Sequence, residues 1–379
     1  MRATLVLILS VFTLSVFSQN RANRIDSLLT ELIREQAGSE KFAPGIFPSY
    51  RIQSKGKERL ADDNIFFSAI IAMRLKRLEK KIPEASKQKA LHIIQNVQAA
   101  SRSFENKYGR ISYNFWQTKP VKQFPNDGKL AKNTRYHIPD DADDSAILFL
   151  VNGKSKKEAL ALQNMMAENV PGQKRNIRNT LPQFKTLPAY STWLGDRMPP
   201  EFDFCVLANI LYVFSEYNLS YTTHEWATIT FLRESFLEGH LQKKPYRVSP
   251  QYKTESTSLY HLAFLVSAHK IAGLEELKPQ LIKRTREKLS EAQTKNEALL
   301  LVSALSYLNE SLPDGYVFPK NTDEFPFFYA NLGSVTPNPF NGVMSKSRKY
   351  NYPYECKAWN MMLELEILLN GSPVVVSSR

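Results

Sequence analysis

Two kinds of helical pattern alternate along the chain. The first is amphipathic and charged, with apolar residues recurring every three or four positions, and it covers residues 24–36, 85–99, 154–168, 223–238 and 275–293. These segments predict surface helices with one wet face. The second kind is apolar nearly all round and covers residues 65–73, 145–151, 204–214, 259–268, 298–308 and 358–369. A helix without a polar face predicts burial on every side. About six buried helices alternating with roughly as many surface helices, and few strand-like runs, predict an all-α fold. The expected architecture is an α/α toroid, a ring of about six helical hairpins.

In such a ring the inner helices run parallel, so their N-termini open on one face. Those starts are polar here: Asp62 and Asp63, the run Asp140 to Asp144, Asp203, Glu255 with Ser256, Glu297, and Glu355. Singly, each is an ordinary cap or first-turn acid. Together they predict several carboxylates around one mouth. The long connections 108–138, 170–200 and 312–354 lead to the same face. Loops of that length are usually functional or disordered, and their aromatic content argues against disorder. Tyr113, Phe115, Trp116, Phe124, Tyr190, Trp193, Phe327, Phe328 and Tyr329 are candidate walls of a cavity, the alternative being plain packing on the rim.

The densest chemistry lies in Pro139-Asp140-Asp141-Ala142-Asp143-Asp144-Ser145-Ala146, four carboxylates in five residues. Crowded carboxylates repel one another, so at least one is expected to hold its proton near neutral pH. Pro139 suits the position before a helix and Asp suits its first turn, so a heavily capped helix start is the plain alternative. One carboxylate is enough for a cap, and four exceed that need.

Composition adds a compartment. Residues 1–18 carry Arg2, an apolar stretch from Leu5 to Phe17 and the small-residue ending Ser18, the layout of a signal peptide. Export to the periplasm or the extracellular space is expected, with residues 19–379 forming a single toroid domain, since no linker divides the chain. No later apolar run reaches about 18 residues, so no integral membrane span is expected; mean hydropathy is −0.35. The formal charge of +13 favours anionic partners. An exported chain without a nucleic-acid module makes nucleic acid an unsuitable one. Lys119, Lys122, Lys129, Lys132 and Arg135 balance the carboxylates, hold an anionic substrate or, the favoured reading, sit on a solvated loop. Cys205 and Cys356 open the third and sixth inner helices, across the ring from each other, so thiols rather than a disulfide are expected.

Asp141-Ala142-Asp143-Asp144, with Ser145-Ala146 after it, resembles the DxDD motif of class II terpene cyclases, which are α/α toroids. The resemblance implies that Asp143 donates a proton to an alkene or epoxide, with Asp141 and Asp144 polarising and hydrogen-bonding it, and that no cofactor is needed. That chemistry requires a strong acid in a dry, aromatic-lined cavity. The chain departs from the family in lacking the Gln and Gly-x-Trp repeats of squalene-type cyclases and in having length for one toroid. The same run satisfies DDxxD through Asp140, Asp141 and Asp144, the pattern of a divalent-cation site, with no second metal motif to complete it.

Two other classes compete. Many exported α/α barrels process glycans as hydrolases or polysaccharide lyases; here Asp143 or Asp144 would face Asp203 or Glu355, with Tyr113, Trp116 and Trp193 as sugar platforms. A non-catalytic ligand-binding or surface module is the third reading. A deep apolar pocket under Asp143 favours an isoprenoid ligand, whereas an open groove exposing those aromatics favours a glycan. Other motifs fail: Thr228 stands where an H-E-x-x-H zinc signature beginning at His224 needs its second His, and His261 and His269 read as core residues.

Overall fold

The computed structural model describes residues 2–37, 41–52, 58–313, 315–323, 325–331, 333–334, 340–347 and 350–371, with backbone alone at 2–18 and 341–342. The leader expected at residues 1–18 therefore lies outside the described side chains. Eleven longer helices carry the fold among the described residues: α1 (Arg2–Gln36), α2 (Phe66–Leu78), α3 (Glu84–Ser101), α4 (Ala142–Val151), α5 (Lys156–Ala167), α6 (Phe204–Glu216), α7 (Thr223–Leu237), α8 (Glu255–Ala268), α9 (Lys278–Ser290), α10 (Lys295–Tyr307) and α11 (Lys357–Asn370).

Six of them form a closed inner ring, in which α2, α4, α6, α8, α10 and α11 each pack on the next and α11 returns to α2. Their sequences explain the placement. Every residue of α6 from Phe204 to Phe214 is buried, as is every residue of α8 from Ser256 to Val266. The outer helices are α1, α3, α5, α7 and α9. In α9 the buried positions are Leu281, Thr285 and Leu289, a single stripe at fourfold spacing that leaves the charged face in water. Capping boxes start two outer helices, Ser155 with Glu158 on α5 and Thr222 with Glu225 on α7. Among the described residues no helix is long and apolar enough to cross a membrane.

The fold is thus the all-α toroid that the alternating pattern predicts, with a feature the pattern did not reveal. A four-stranded antiparallel sheet, in the order β2 (Arg59–Ala61), β1 (Tyr50–Ile52), β6 (Asn351–Glu355) and β5 (Phe328–Asn331), covers part of the mouth. Its strands β5 and β6 belong to the connection between α10 and α11. A two-residue ribbon, β3 (Asp140–Asp141) with β4 (Trp193–Leu194), forms the edge from which α4 springs. Cys205 and Cys356 are buried and form no disulfide.

Candidate active site

The ring brings the starts of α2, α4 and α6 and the segment before α8 to one slot. Its wall holds Phe66, Asp141, Asp143, Asp144, Val206, Gln251 and Tyr252 from the helix ends, and Phe115, Trp116, Ile138, Trp193, Met198 and Phe328 to Asn331 from the connections. Apolar and aromatic groups make up most of it. The open interior is about 70 Å³, well under the ~300 Å³ of a usual small-molecule site. A chain end fits this slot as it stands; a whole folded polyprenyl chain does not.

The three aspartates are held differently. Asp141 has extended backbone, and its Oδ1 accepts from the backbone N–H groups of Asp143 (2.7 Å) and Asp144 (3.3 Å), so it is the N-cap of α4. Asp143 accepts from the Tyr252 hydroxyl (2.7 Å) and the Asn209 amide (2.8 Å). Neither carboxyl oxygen of Asp144 has a partner. All three are buried.

Burial raises every one of these groups, and crowding adds to it at Asp141 and Asp144. Asp144 is pushed well above the ordinary carboxylate range by desolvation and then by the charges of Asp141 and Asp143. Asp141 moves the same way for the same two reasons. Asp143 rises less, to about 6, because Tyr252, Asn209 and the more distant Arg74 cation oppose its desolvation. A rise from 3.8 to about 6 corresponds to about 3 kcal/mol, more than the ~0.3–2 kcal/mol by which a helix N-terminus favours a carboxylate. Desolvation wins over the helix end. The cluster therefore retains protons near neutrality, and within it Asp143 has the best-supported anion.

Two residues near the slot fix its walls. Asp62, ahead of α2, accepts from Trp116 Nε1 (2.8 Å) and the Tyr354 hydroxyl (3.1 Å), tying the indole and strand β6 to the ring. Trp116 in turn packs on Phe115 and Phe124.

No known family profile matches this chain, and no curated protein sequence does. Two solved structures resemble it in overall shape. One is a ligand-free variant of the type II terpene cyclase MstE from Scytonema, at 10% identity and a TM-score of 0.48, covering 93% of this chain and 97% of that one. The other is a second variant of the same cyclase in complex with geranylgeranyl dihydroxybenzoate, its substrate, at 11% identity and a TM-score of 0.47, covering 93% and 98%. At these values the likeness is one of shape alone.

The remaining expected site residues are distributed unevenly. Trp116 and Trp193 line the slot. Tyr113 does not: its hydroxyl accepts from the Asn152 amide (2.9 Å), and its ring packs edge-on against Phe149. Asp203, a candidate mouth acid with a cap as the favoured reading, is the buried N-cap of α6. It accepts from the backbone of Cys205 (3.0 Å) and Gln251 (2.7 Å) and from the Ser249 hydroxyl (3.0 Å), and burial raises it to about 7. Glu355 ends β6 and pairs with Arg59 at 3.5 Å, away from the slot. Asp140 points to the other face of β3 from Asp141, where Asn106 and Ser112 donate to it. The carboxylates of the DDxxD reading therefore do not converge, and no metal-binding group of His, Cys, Asp and Glu occurs among the described residues. Lys119, Lys122, Lys129, Lys132 and Arg135 are exposed, as a solvated loop requires.

Asn209 and Tyr252 were not expected. Asn209 carried a signal, as the amide in the otherwise almost wholly apolar stretch from Phe204 to Phe214. Tyr252 carried none.

Proposed function

We propose that this chain is an acid catalyst of the class II terpene cyclase type, in which Asp143 protonates a double bond at the end of an isoprenoid chain. The observation that carries this reading is a buried cluster of three carboxyls, each raised above the ordinary carboxylate range, opening on a slot with apolar, aromatic walls. In the step itself the alkene π electrons form a C–H bond with the carboxyl proton of Asp143, leaving a tertiary carbocation and the Asp143 carboxylate. The Tyr252 hydroxyl and the Asn209 amide stabilise that carboxylate. The faces of Phe66, Trp116 and Phe328 stabilise the cation. Asp144 keeps its proton and keeps a second negative charge out of the site. The proton returns when the cation is quenched by loss of a neighbouring hydrogen. Export through the leader at residues 1–18 belongs to the same proposal.

A glycan substrate has less support. Its second carboxylate is missing from the wall, since Asp203 is engaged as a cap and Glu355 pairs with Arg59. Trp116, Trp193 and Tyr113 are buried, so they offer no open platform for a sugar ring.

The test is a pH profile with farnesol, geranylgeraniol, their diphosphates and squalene as probes. A proton donor works in its protonated form, so activity is present below the folded pKa and is lost above it. With the Asp143 group at about 6, kcat/KM is expected to be level below about pH 6 and to fall about tenfold per unit above it, the apparent value belonging to the coupled cluster. A profile that rises between pH 6 and 8 would assign the ionised carboxylate as the working form and reject the proposal.

A further inference from the structure

On the far side of the β3–β4 ribbon lies a second, larger cavity of about 230 Å³. Strand geometry makes the partition. Successive side chains point to opposite faces of a strand, and directly paired residues share a face. Asp140 pairs with Leu194 and Asp141 with Trp193. The first pair lines the larger cavity and the second lines the acid slot. Ile138 lines both and stands on the wall between them.

The larger cavity is cationic where the slot is apolar. Lys107, Arg110 and Arg197 stand on its wall. None of the three has a carboxylate within ion-pair distance among the described residues. Lys107 lies over the Tyr108 ring at 5.0 Å, and Arg197 Nη1 donates to the carbonyl of Thr134 at 2.6 Å. The two carboxylates of the wall are engaged: Asp140 accepts from Asn106 and Ser112, and Asp196 lies 3.7 Å from Lys174. A second observation comes from His137, which lines the same cavity and is 6% exposed. Its Nε2 is 3.0 Å from the Ala131 carbonyl, which can only accept, so that nitrogen carries the hydrogen. Its Nδ1 is buried and has no partner.

We infer that this cavity is a binding site for an oxyanion of the phosphate or carboxylate type. Two guanidinium forks and an ammonium supply charge-assisted donors to such a group. The bare Nδ1 of His137 accepts from the hydroxyl of a singly ionised phosphate. The anion arrives either free or as the head of an amphiphile whose apolar tail passes Ile138 into the acid slot. The site stands on its own residues, whether or not Asp143 protonates anything.

Isothermal titration of the full chain at low salt distinguishes the sources, with inorganic phosphate, dodecyl phosphate and dodecanol as probes. Saturable binding of at least one phosphate is expected, weakened at least about tenfold in the Lys107→Gln/Arg110→Gln double variant. Binding is expected to be unchanged in Lys129→Gln/Lys132→Gln, whose side chains are exposed on the neighbouring loop. Lys107 and Arg110 are themselves exposed, so the double variant should keep its unfolding midpoint. Equal affinities for the two phosphates mark a free anion, and a dodecyl phosphate preference of tenfold or more marks the head of an amphiphile; both support the site. Absence of saturable phosphate binding overturns it. So does an equal loss in the Lys129/Lys132 variant, which would reduce the effect to general charge, and so does dodecanol binding as tightly as dodecyl phosphate.

Discussion

Asp143→Asn is expected to lower turnover of an isoprenoid at least ~10³-fold, toward the upper end of what a positioned general acid contributes, while substrate binding stays within about threefold. Asparagine keeps the planar shape of the side chain and removes the proton that starts the reaction. The variant has a second signature. Burial holds the Asp143 group at about 6 in the folded chain against 3.8 ordinarily, so its contribution to stability is present below about pH 4 and is lost as pH rises through 6. Asparagine escapes that loss, so Asp143→Asn is expected to be more stable than the parent at pH 8 and to lose this advantage at pH 4. Chemical denaturation at the two pH values measures it. Inactivity with a lowered midpoint at pH 8 would point to a damaged fold instead of a missing acid.

The largest effect on stability is expected from Arg74, buried among the inner helices. Its side chain is fully buried. Nε donates to the Tyr260 hydroxyl at 3.0 Å and lies 3.6 Å from Glu366, and the guanidinium covers the Phe264 ring. Tyr260 (2.8 Å) and Ser303 donate to Glu366 in turn. Four inner helices, α2, α8, α10 and α11, thus meet at one buried ion pair. Arg74→Leu leaves Glu366 without its cation and should cost about 3–5 kcal/mol. Arg74→Leu/Glu366→Leu removes both charges and should recover most of that, because desolvating an ion pair cancels much of its attraction. The single variant should also regain stability as pH falls, since burial already raises the Glu366 carboxyl and a stranded one is raised further. Urea midpoints of the parent, single and double variants decide the matter. A double variant no more stable than the single would mean that packing, and not charge, sets the loss.

Much of this architecture is legible in the sequence because burial on all sides leaves an unambiguous trace. The apolar run of α6, broken only by Asn209 between Phe204 and Phe214, and the single stripe of α9 cannot exchange places without exposing one and burying charge on the other. The Asp141 to Asp144 cluster is legible for the same reason, being acid crowded onto the start of an apolar helix. The sheet is not, because its strands are three to five residues long and its central pairing joins Tyr50 to Glu355, at opposite ends of the chain. No local pattern records a partner so distant. Asp203 shows the limit in another form, since an aspartate one residue ahead of a helix reads first as a cap and, among other acids at the same face, also as a mouth acid. The two roles separate once the donors converging on it from Ser249 and Gln251 are in view. Tyr252 reaches Asp143 from the connection before α8, so its role is set by tertiary placement alone.

In the proposed reaction a carboxyl hydrogen passes to carbon inside the slot. Running the polyprenyl probes in deuterated water at pH 5.5 and weighing the products tests this directly. A product isomer carrying at least one solvent deuterium on carbon, formed by the parent and not by Asp143→Asn, is the predicted result. A product formed without carbon-bound deuterium, or equal conversion by the asparagine variant, would contradict it.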